Sequence, residues 1–214
     1  MTDSRSAATP QAILDLAQNK KREARALFQA GNLTEAKSLY KQASQLDPAD
    51  AQVWLMLGNI SGQSGSVTET EAAYRQALRL NPALGAAPPS LGPLLGSLGR
   101  HGEATECYRQ ALRIKPQSIP AHINLGNILV IQGKFDEALE IYRSALRFDP
   151  NCRKAALGIA HAYERQGNLE QSFAQLQTFL SPEQAGADAA MIFAAVCRPL
   201  GRCDEAIALM ERLL

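Results

Sequence analysis

The chain has 214 residues, of which 46% are hydrophobic and 20% charged, so it can bury a sizeable core and does not have the composition of a disordered chain. Its 22 basic and 21 acidic residues leave a formal charge of +1, which provides no electrostatic attraction to nucleic acid or to an anionic membrane. No stretch resembles a secretory signal or approaches the roughly 18 apolar residues of a membrane span. We therefore predict a cytoplasmic protein with no nucleic-acid or membrane partner.

We expect residues 1–10 to form a disordered tail, and from there the chain repeats itself every 34 residues. The phrase EAAYRQALRLNP, which ends at Pro82, returns as ECYRQALRIKP ending at Pro116 and as EIYRSALRFDP ending at Pro150. The positions that share this interval are Gly31, Gly65, Gly99 and Gly133, Tyr40, Tyr74, Tyr108 and Tyr142, Ala43, Ala77, Ala111 and Ala145, and Pro48, Pro82, Pro116 and Pro150. With Gly167 and Gly201 the count becomes six units, at about 17–50, 51–84, 85–118, 119–152, 153–186 and an incomplete 187–214.

Each unit reads as two helices, which we call helix A and helix B. In unit four, apolar residues spaced three and four apart predict a helix A that ends near Gly133 and a helix B that stops before Pro150. Small residues are expected where the two helices approach closely, and a larger side chain there should cost about 1–3 kcal/mol. These residues are Gly58, Gly92, Ala104, Gly126, Ala138 and Ala160. The repeated tyrosine is expected to fill the space between neighbouring helix pairs.

Unit one carries a basic cluster in its first helix, made of Lys20, Lys21, Arg22 and Arg25. Such a cluster can hold an acidic segment of a partner, and a solvated terminal helix explains it equally well. Unit three holds prolines and glycines in its helix A, which should start late, bend or fray. That segment is either a hinge or local damage tolerated because its neighbours are strong.

The pattern W-x-x-L-G followed by glycine, tyrosine, alanine and proline resembles the tetratricopeptide repeat. It is carried here by Trp54, Leu57, Gly58, Gly65, Tyr74, Ala77 and Pro82. The resemblance implies an all-α fold, a right-handed superhelical solenoid of stacked helix pairs whose A helices line a concave groove. The phrase INLGNIL in unit four is similar to the superhelical arms of O-GlcNAc transferases and of bacterial repeat proteins fused to sulfotransferases.

No catalytic constellation is present in the sequence. The four cysteines form no C-x-x-C pair and are expected to be reduced, and the three histidines form no metal-binding pair and are expected at the surface or in the groove. We predict no metal, no cofactor and no enzymatic activity. The clamp that chaperone-binding relatives use for a terminal carboxylate is not expected either. Unit four offers Asn127, but the partner positions in units five and six hold Gly158, Asp188 and Ile192.

The predicted site is the face of the A helices that points away from the B helices. Asparagine amides there offer a donor and an acceptor to an extended peptide backbone, and aliphatic neighbours offer pockets for its side chains. At each position the alternative is ordinary core between helices. The candidates are Leu55, Met56, Asn59, Ile123, Asn124, Asn127, Val130, Ile131, Leu157, His161 and Arg165.

Two functions fit these observations. The first is a non-enzymatic scaffold that binds an extended peptide or a helix of a partner protein in the groove. The second is the substrate-recognition arm of a longer glycosyltransferase or sulfotransferase whose catalytic domain lies beyond Leu214, because unit six stops inside its own helix B. An uncovered sixth unit also predicts self-association through its apolar edge.

Overall fold

The structure is a computed structural model that describes residues 9–84, 87–179, 187–202 and 204. Within these ranges it contains eleven α-helices and no strand, which confirms the all-α prediction. The helices are α1 (Pro10–Gln29), α2 (Leu33–Leu46), α3 (Ala51–Gln63), α4 (Val67–Leu80), α5 (Ala87–Ser97), α6 (His101–Ile114), α7 (Ile119–Ile131), α8 (Phe135–Phe148), α9 (Arg153–Gln166), α10 (Leu169–Phe179) and α11 (Ala187–Cys197).

The helices follow the 34-residue period. The B helices α2, α4, α6, α8 and α10 begin at Leu33, Val67, His101, Phe135 and Leu169. Helix α1 begins at Pro10, and Thr9 caps it by accepting a hydrogen bond from the Ala12 amide. The predicted tail at residues 1–8 and most of the second helix of unit six lie outside the described residues.

Contacts divide the chain into two units, Met1–Leu94 and Leu95–Leu214. In the first unit α1 packs on α2, α2 on α3, and α3 on α4. In the second unit each helix from α6 to α11 packs on the next one. Helix α9 also contacts both α7 and α11. Contact between sequence neighbours and next-but-one neighbours is the arrangement of stacked helical hairpins.

Every A-to-B turn is built around a glycine with a positive φ, between 68° and 85° at Gly31, Gly65, Gly99, Gly133, Gly167 and Gly201. The residue after each glycine donates its amide to the carbonyl five residues before it, as Lys134 does to Leu129 at 2.9 Å. This six-to-one bond defines a Schellman cap, which needs a left-handed residue where glycine pays no Cβ penalty. The repeated glycine is therefore a helix C-cap, copied six times.

The repeated proline sets the end of each full B helix. The residues before Pro48, Pro82, Pro116 and Pro150 all have extended backbones, with ψ between 84° and 94°. The proline ring disfavours helical geometry in the residue before it, which favours a helix end at these positions. The prediction that helix B ends before the proline is confirmed.

The repeated tyrosine locks neighbouring hairpins together. Tyr142 on α8 is fully buried, and its ring lies against Gly126 of α7 and Gly158 of α9. A Cβ added at Gly126 would meet the ring at 2.5 Å, and one at Gly158 would come closer still. Tyr74 lies against Gly58 in the same way, at 2.6 Å. Helices α7 and α9 can thus approach the tyrosine only because both lack a side chain at the point of contact.

Helix α5 is continuous across Pro93, despite the cost of an interior proline. Leu91 and Leu95, on either side of that proline, are almost completely buried. Burial of apolar side chains offsets the lost backbone hydrogen bond. The two readings of α5, as a hinge or as local damage tolerated by its neighbours, stay predictions.

The glycine-tyrosine contact gives a test of stability. Gly126→Ala or Gly158→Ala should lower the free energy of unfolding by about 1–3 kcal/mol, because the added methyl overlaps the Tyr142 ring. Gly102→Ala, in α6, is the matched control, because a Cβ there meets no atom within 4 Å. Urea unfolding followed by circular dichroism measures all three. Equal stability of the Gly126→Ala, Gly158→Ala and Gly102→Ala variants would contradict the contact.

Candidate functional site

Three side chains on the outer part of α7 define what we call the asparagine surface: Asn124, Asn127 and Ile131. Asn127 is exposed, Asn124 is half-buried, and Ile131 keeps 59% of its surface exposed. Asn124 and Asn127 are three residues apart, so they share one helix face. Asn124, Asn127 and Ile131 are therefore accessible together on one helix.

The Asn127 amide is held from behind by the buried tyrosine. The Tyr142 hydroxyl donates a hydrogen bond of 2.6 Å to Asn127 Oδ1. In the first unit, the Tyr74 hydroxyl donates to Asn59 Oδ1 at 2.7 Å, with the same separation of 15 residues. One oxygen lone pair is used by this bond, which leaves the amide N–H groups and a second lone pair for a ligand. Sequence reasoning missed this pairing, although the repeated separation is visible in the sequence.

The tyrosine that holds the amide stays protonated. Burial raises the pKa of the Tyr142 phenol well above its ordinary value of 10. Burial also raises the pKa of Tyr108, in unit three, to about 12, with the neighbouring Cys107 adding to the rise. A neutral hydroxyl is a hydrogen-bond donor, so it keeps the Asn127 oxygen as its acceptor over the whole physiological pH range.

The neighbouring helix α9 contributes a more mixed surface. His161 occupies the register of Asn127 one repeat later, and its side chain is 44% exposed, with Nε2 4.0 Å from Glu164. Arg165 is exposed on the next turn, whereas Leu157 is half-buried and packs against the C-terminal core cluster. Because α7 and α9 are in contact, His161 extends the polar surface and Leu157 belongs mainly to the core.

Three predictions about individual residues need correction. Leu55 and Val130 are buried, at 5% and 2% exposure, so they are core residues and not lining of a groove. An A helix is covered on more than one side, and its apolar face is broader than packing against helix B alone would require. His122 is also buried, with its Nδ1 3.0 Å from the Ser118 carbonyl and its ring against Phe148.

The basic cluster of α1 is dispersed by its contacts. Lys20 donates to Gln42 at 2.6 Å, and Arg22 donates to Asn19 on its own helix at 2.7 Å. Lys21 pairs with Asp50 at 2.5 Å. Arg25 makes no hydrogen bond or ion pair with any described residue. Only Lys21 and Arg25 of the four line a common cavity with α3.

The described residues hold no group of three or more metal-binding side chains. Cys107 is half-buried, Cys152 and Cys197 are buried, and Cys203 lies outside the described residues. None of the described helices combines the length and apolarity that crossing a bilayer requires.

Two family models match the sequence. The model described as cilia and flagella-associated protein 70 C-terminal domain, a tetratricopeptide repeat domain, matches residues 21–146, which is more than half of the chain. The chain belongs to this family. A second model, described as TPR repeat, matches residues 126–167. The tetratricopeptide resemblance is thereby confirmed, whereas neither model points to the arms of glycosyltransferases or sulfotransferases.

Solved structures show the same fold at low sequence identity. A tetratricopeptide repeat protein from Parabacteroides merdae has a TM-score of 0.80 at 19% identity, over 93% of this chain and 79% of that protein. YrrB, a TPR protein with an unusual peptide-binding site, has a TM-score of 0.74 at 21% identity, over 91% and 98%. PilW, a type IV pilus biogenesis factor, has a TM-score of 0.73 at 22% identity, over 92% and 91%. A sequence search of curated proteins found no match.

The raised tyrosine pKa predicts alkaline sensitivity. A phenol whose pKa is raised on folding stabilises the folded state below the unfolded pKa near 10, and this contribution is lost as the pH rises toward the folded pKa of about 12. The free energy of unfolding of the wild type should fall across this window. In Tyr108→Phe the decrease should be smaller by about 2–3 kcal/mol. Urea unfolding at a series of alkaline pH values measures the slope. A variant slope identical to that of the wild type would rule out this role for Tyr108.

Proposed function

We propose that the protein is a non-enzymatic interaction module that binds an extended peptide segment of a partner protein on the asparagine surface of α7. The observation that carries the proposal is the exposed Asn127 amide held by the buried Tyr142 hydroxyl. A polar group that is both accessible and fixed in orientation loses little conformational entropy when a ligand binds.

The two amides suit a peptide backbone. The Asn124 side chain makes no hydrogen bond with any described residue, so the N–H groups and the oxygen of its amide are available. Asn127 retains its N–H groups and one lone pair. Side chains three residues apart on a helix lie roughly 5–6 Å from each other, close to the span of two residues in an extended chain. Both asparagines can therefore bond to one ligand strand, at alternate residues.

The apolar part of the surface supplies the second kind of contact. Ile131 is exposed to 59% at the C-terminal end of α7, and Ile123 is half-buried one turn before Asn127. An apolar side chain of a ligand that packs against this exposed isoleucine would gain about 1.5–3 kcal/mol when fully buried. Shared fold with YrrB, whose peptide-binding site is named in its description, supports a peptide ligand for this chain as well.

The alternative proposal is that the same surface recognises substrates for a longer glycosyltransferase or sulfotransferase. Asparagine occupies this register only at Asn59 and Asn127, whereas the equivalent positions hold Arg25, Pro93 and His161. An open reading frame that continues beyond Leu214 into a donor-binding domain would support it, and a stop codon there would exclude it.

Self-association stays a proposal that sedimentation at increasing concentration tests.

The peptide proposal can be tested by selection and mutation. Peptides selected from a random display library on the wild-type protein should lose about tenfold or more in affinity for the double variant Asn124→Ala, Asn127→Ala, because two hydrogen bonds are removed. Asn151→Ala, in the exposed turn before α9, is the matched control and should leave the affinity unchanged. Isothermal titration calorimetry gives the dissociation constants. Selected peptides that bind the double variant as tightly as the wild type would refute this assignment of the surface.

A further inference from the structure

The first unit contains a cavity of about 480 Å³ between α1, α2 and α3. Its lining combines two cations with aromatic, amide and thioether groups, and none of its lining residues is acidic. The lining residues are Lys21, Arg25, Phe28, Gln29, Tyr40, Gln52 and Met56. It is separate from the asparagine surface, which belongs to the second unit.

The repeat register shows what is unusual about Tyr40. Tyr74 and Tyr142 each donate a hydrogen bond to the asparagine 15 residues earlier. For Tyr40 the residue 15 positions earlier is Arg25. A guanidinium has five N–H donors and no acceptor, so it cannot take the place of the asparagine oxygen. The substitution converts a satisfied donor-acceptor pair into two donors.

Neither donor is satisfied within the described part of the chain. The side chains of Tyr40 and Arg25 make no hydrogen bond with any described residue. Tyr40 lines the cavity and keeps only 1% of its surface exposed, and its hydroxyl is not one of the fully buried atoms without a partner among the described residues, which are His101 Nδ1 and Gln132 Oε1. Burial raises the pKa of Tyr40 against the opposing effect of the nearby Arg25 charge, and its hydroxyl remains a donor at neutral pH.

The neighbouring charges leave room for an anion. Lys21 is paired with Asp50, whose carboxylate also caps α3 by accepting from the amides of Gln52 and Val53. The Asp50 carboxylate is therefore bonded to Lys21 and to the α3 amides, and it makes no ion pair with Arg25. Arg25 and Tyr40 line the same cavity, and a guanidinium with a phenol hydroxyl is a donor set that a carboxylate fits, because charge-assisted hydrogen bonds are stronger than neutral ones.

We propose that this cavity binds an acidic side chain of a partner peptide, with the carboxylate accepting hydrogen bonds from Arg25 and the Tyr40 hydroxyl. The methylene groups of a glutamate side chain lie against Phe28 and Met56, which are both half-buried in the cavity wall. The site goes beyond the peptide-backbone binding proposed for α7, because it selects a charge in the ligand and lies in the other unit. It makes the first unit specific for acidic sequence.

The probe is a blocked tripeptide, acetylated and amidated, with glutamate between two leucines. Two comparison peptides are used. One is the same blocked peptide with glutamine in place of glutamate, and the other is a leucine tripeptide with a free carboxyl terminus. Titrations are followed on the full chain by the backbone amide and arginine Nε–H signals in nitrogen-edited nuclear magnetic resonance spectra, and the backbone amide signals give the affinities of the arginine variants. The glutamate peptide should shift the Arg25 signal in a saturable manner, with an affinity about tenfold or more above that of the glutamine peptide.

Variants separate this site from general basic charge. Arg25→Asn, which introduces the residue found at the matching position in units two and four, should lower the affinity about tenfold or more, and Tyr40→Phe about threefold to tenfold. Arg22→Asn is the matched control, because Arg22 is bonded to Asn19 and does not line the cavity. The double variant Asn124→Ala, Asn127→Ala should bind the glutamate peptide as the wild type does. Thermal unfolding verifies that each variant is folded.

Three results would overturn the proposal. The first is equal affinity for the glutamate and glutamine peptides. The second is an equal loss of affinity in Arg22→Asn and Arg25→Asn, which would show a diffuse charge effect. The third is tighter binding of the peptide with the free carboxyl terminus, which would assign the cavity to a chain end instead of a side chain. None of these results bears on the α7 surface, whose own test uses different variants.

Discussion

The packing of one buried tyrosine against two helices is the interaction on which the rest of the structure depends. The Tyr142 ring fills the gap between Gly126 on α7 and Gly158 on α9, and its hydroxyl is bonded to Asn127. The ring thus sets how closely successive hairpins approach, while the hydroxyl sets the orientation of an exposed amide. A surface group supported from the core in this way is preorganised, and its position is as well defined as the packing beneath it.

Variation within the repeat places different chemistry on the same support. The register 15 residues before the tyrosine, or its equivalent in unit five, holds Arg25, Asn59, Pro93, Asn127 and His161. Asparagine accepts the tyrosine hydroxyl, arginine leaves it without an acceptor, and proline has no polar side chain at all. The fold stays the same because caps, prolines and small residues are repeated, whereas the side chain at this one position changes from unit to unit.

Much of the fold could be predicted because its determinants are local and periodic. Glycine caps and prolines act within one turn of the backbone, so their positions alone predict where the helices end. The site was harder to predict, because the Tyr142–Asn127 bond joins two helices and depends on their relative rotation. Gly158 was missed as a contact of Tyr142 because strict register points to Ala160. Leu55 and Val130 were assigned to the surface because a one-sided helix was assumed, whereas α3 and α7 each pack against more than one neighbour.

The claim that the tyrosine hydroxyl holds the asparagine amide is tested most directly by a double-mutant cycle on the free energy of unfolding. Tyr142→Phe keeps the ring against Gly126 and Gly158 and removes only the hydroxyl. We expect it to cost about 0.5–1.5 kcal/mol in the wild type and substantially less in the Asn127→Ala background, where the acceptor is already gone. An equal cost in the two backgrounds would show that the bond contributes nothing, and the account of a surface supported from the core would then be contradicted.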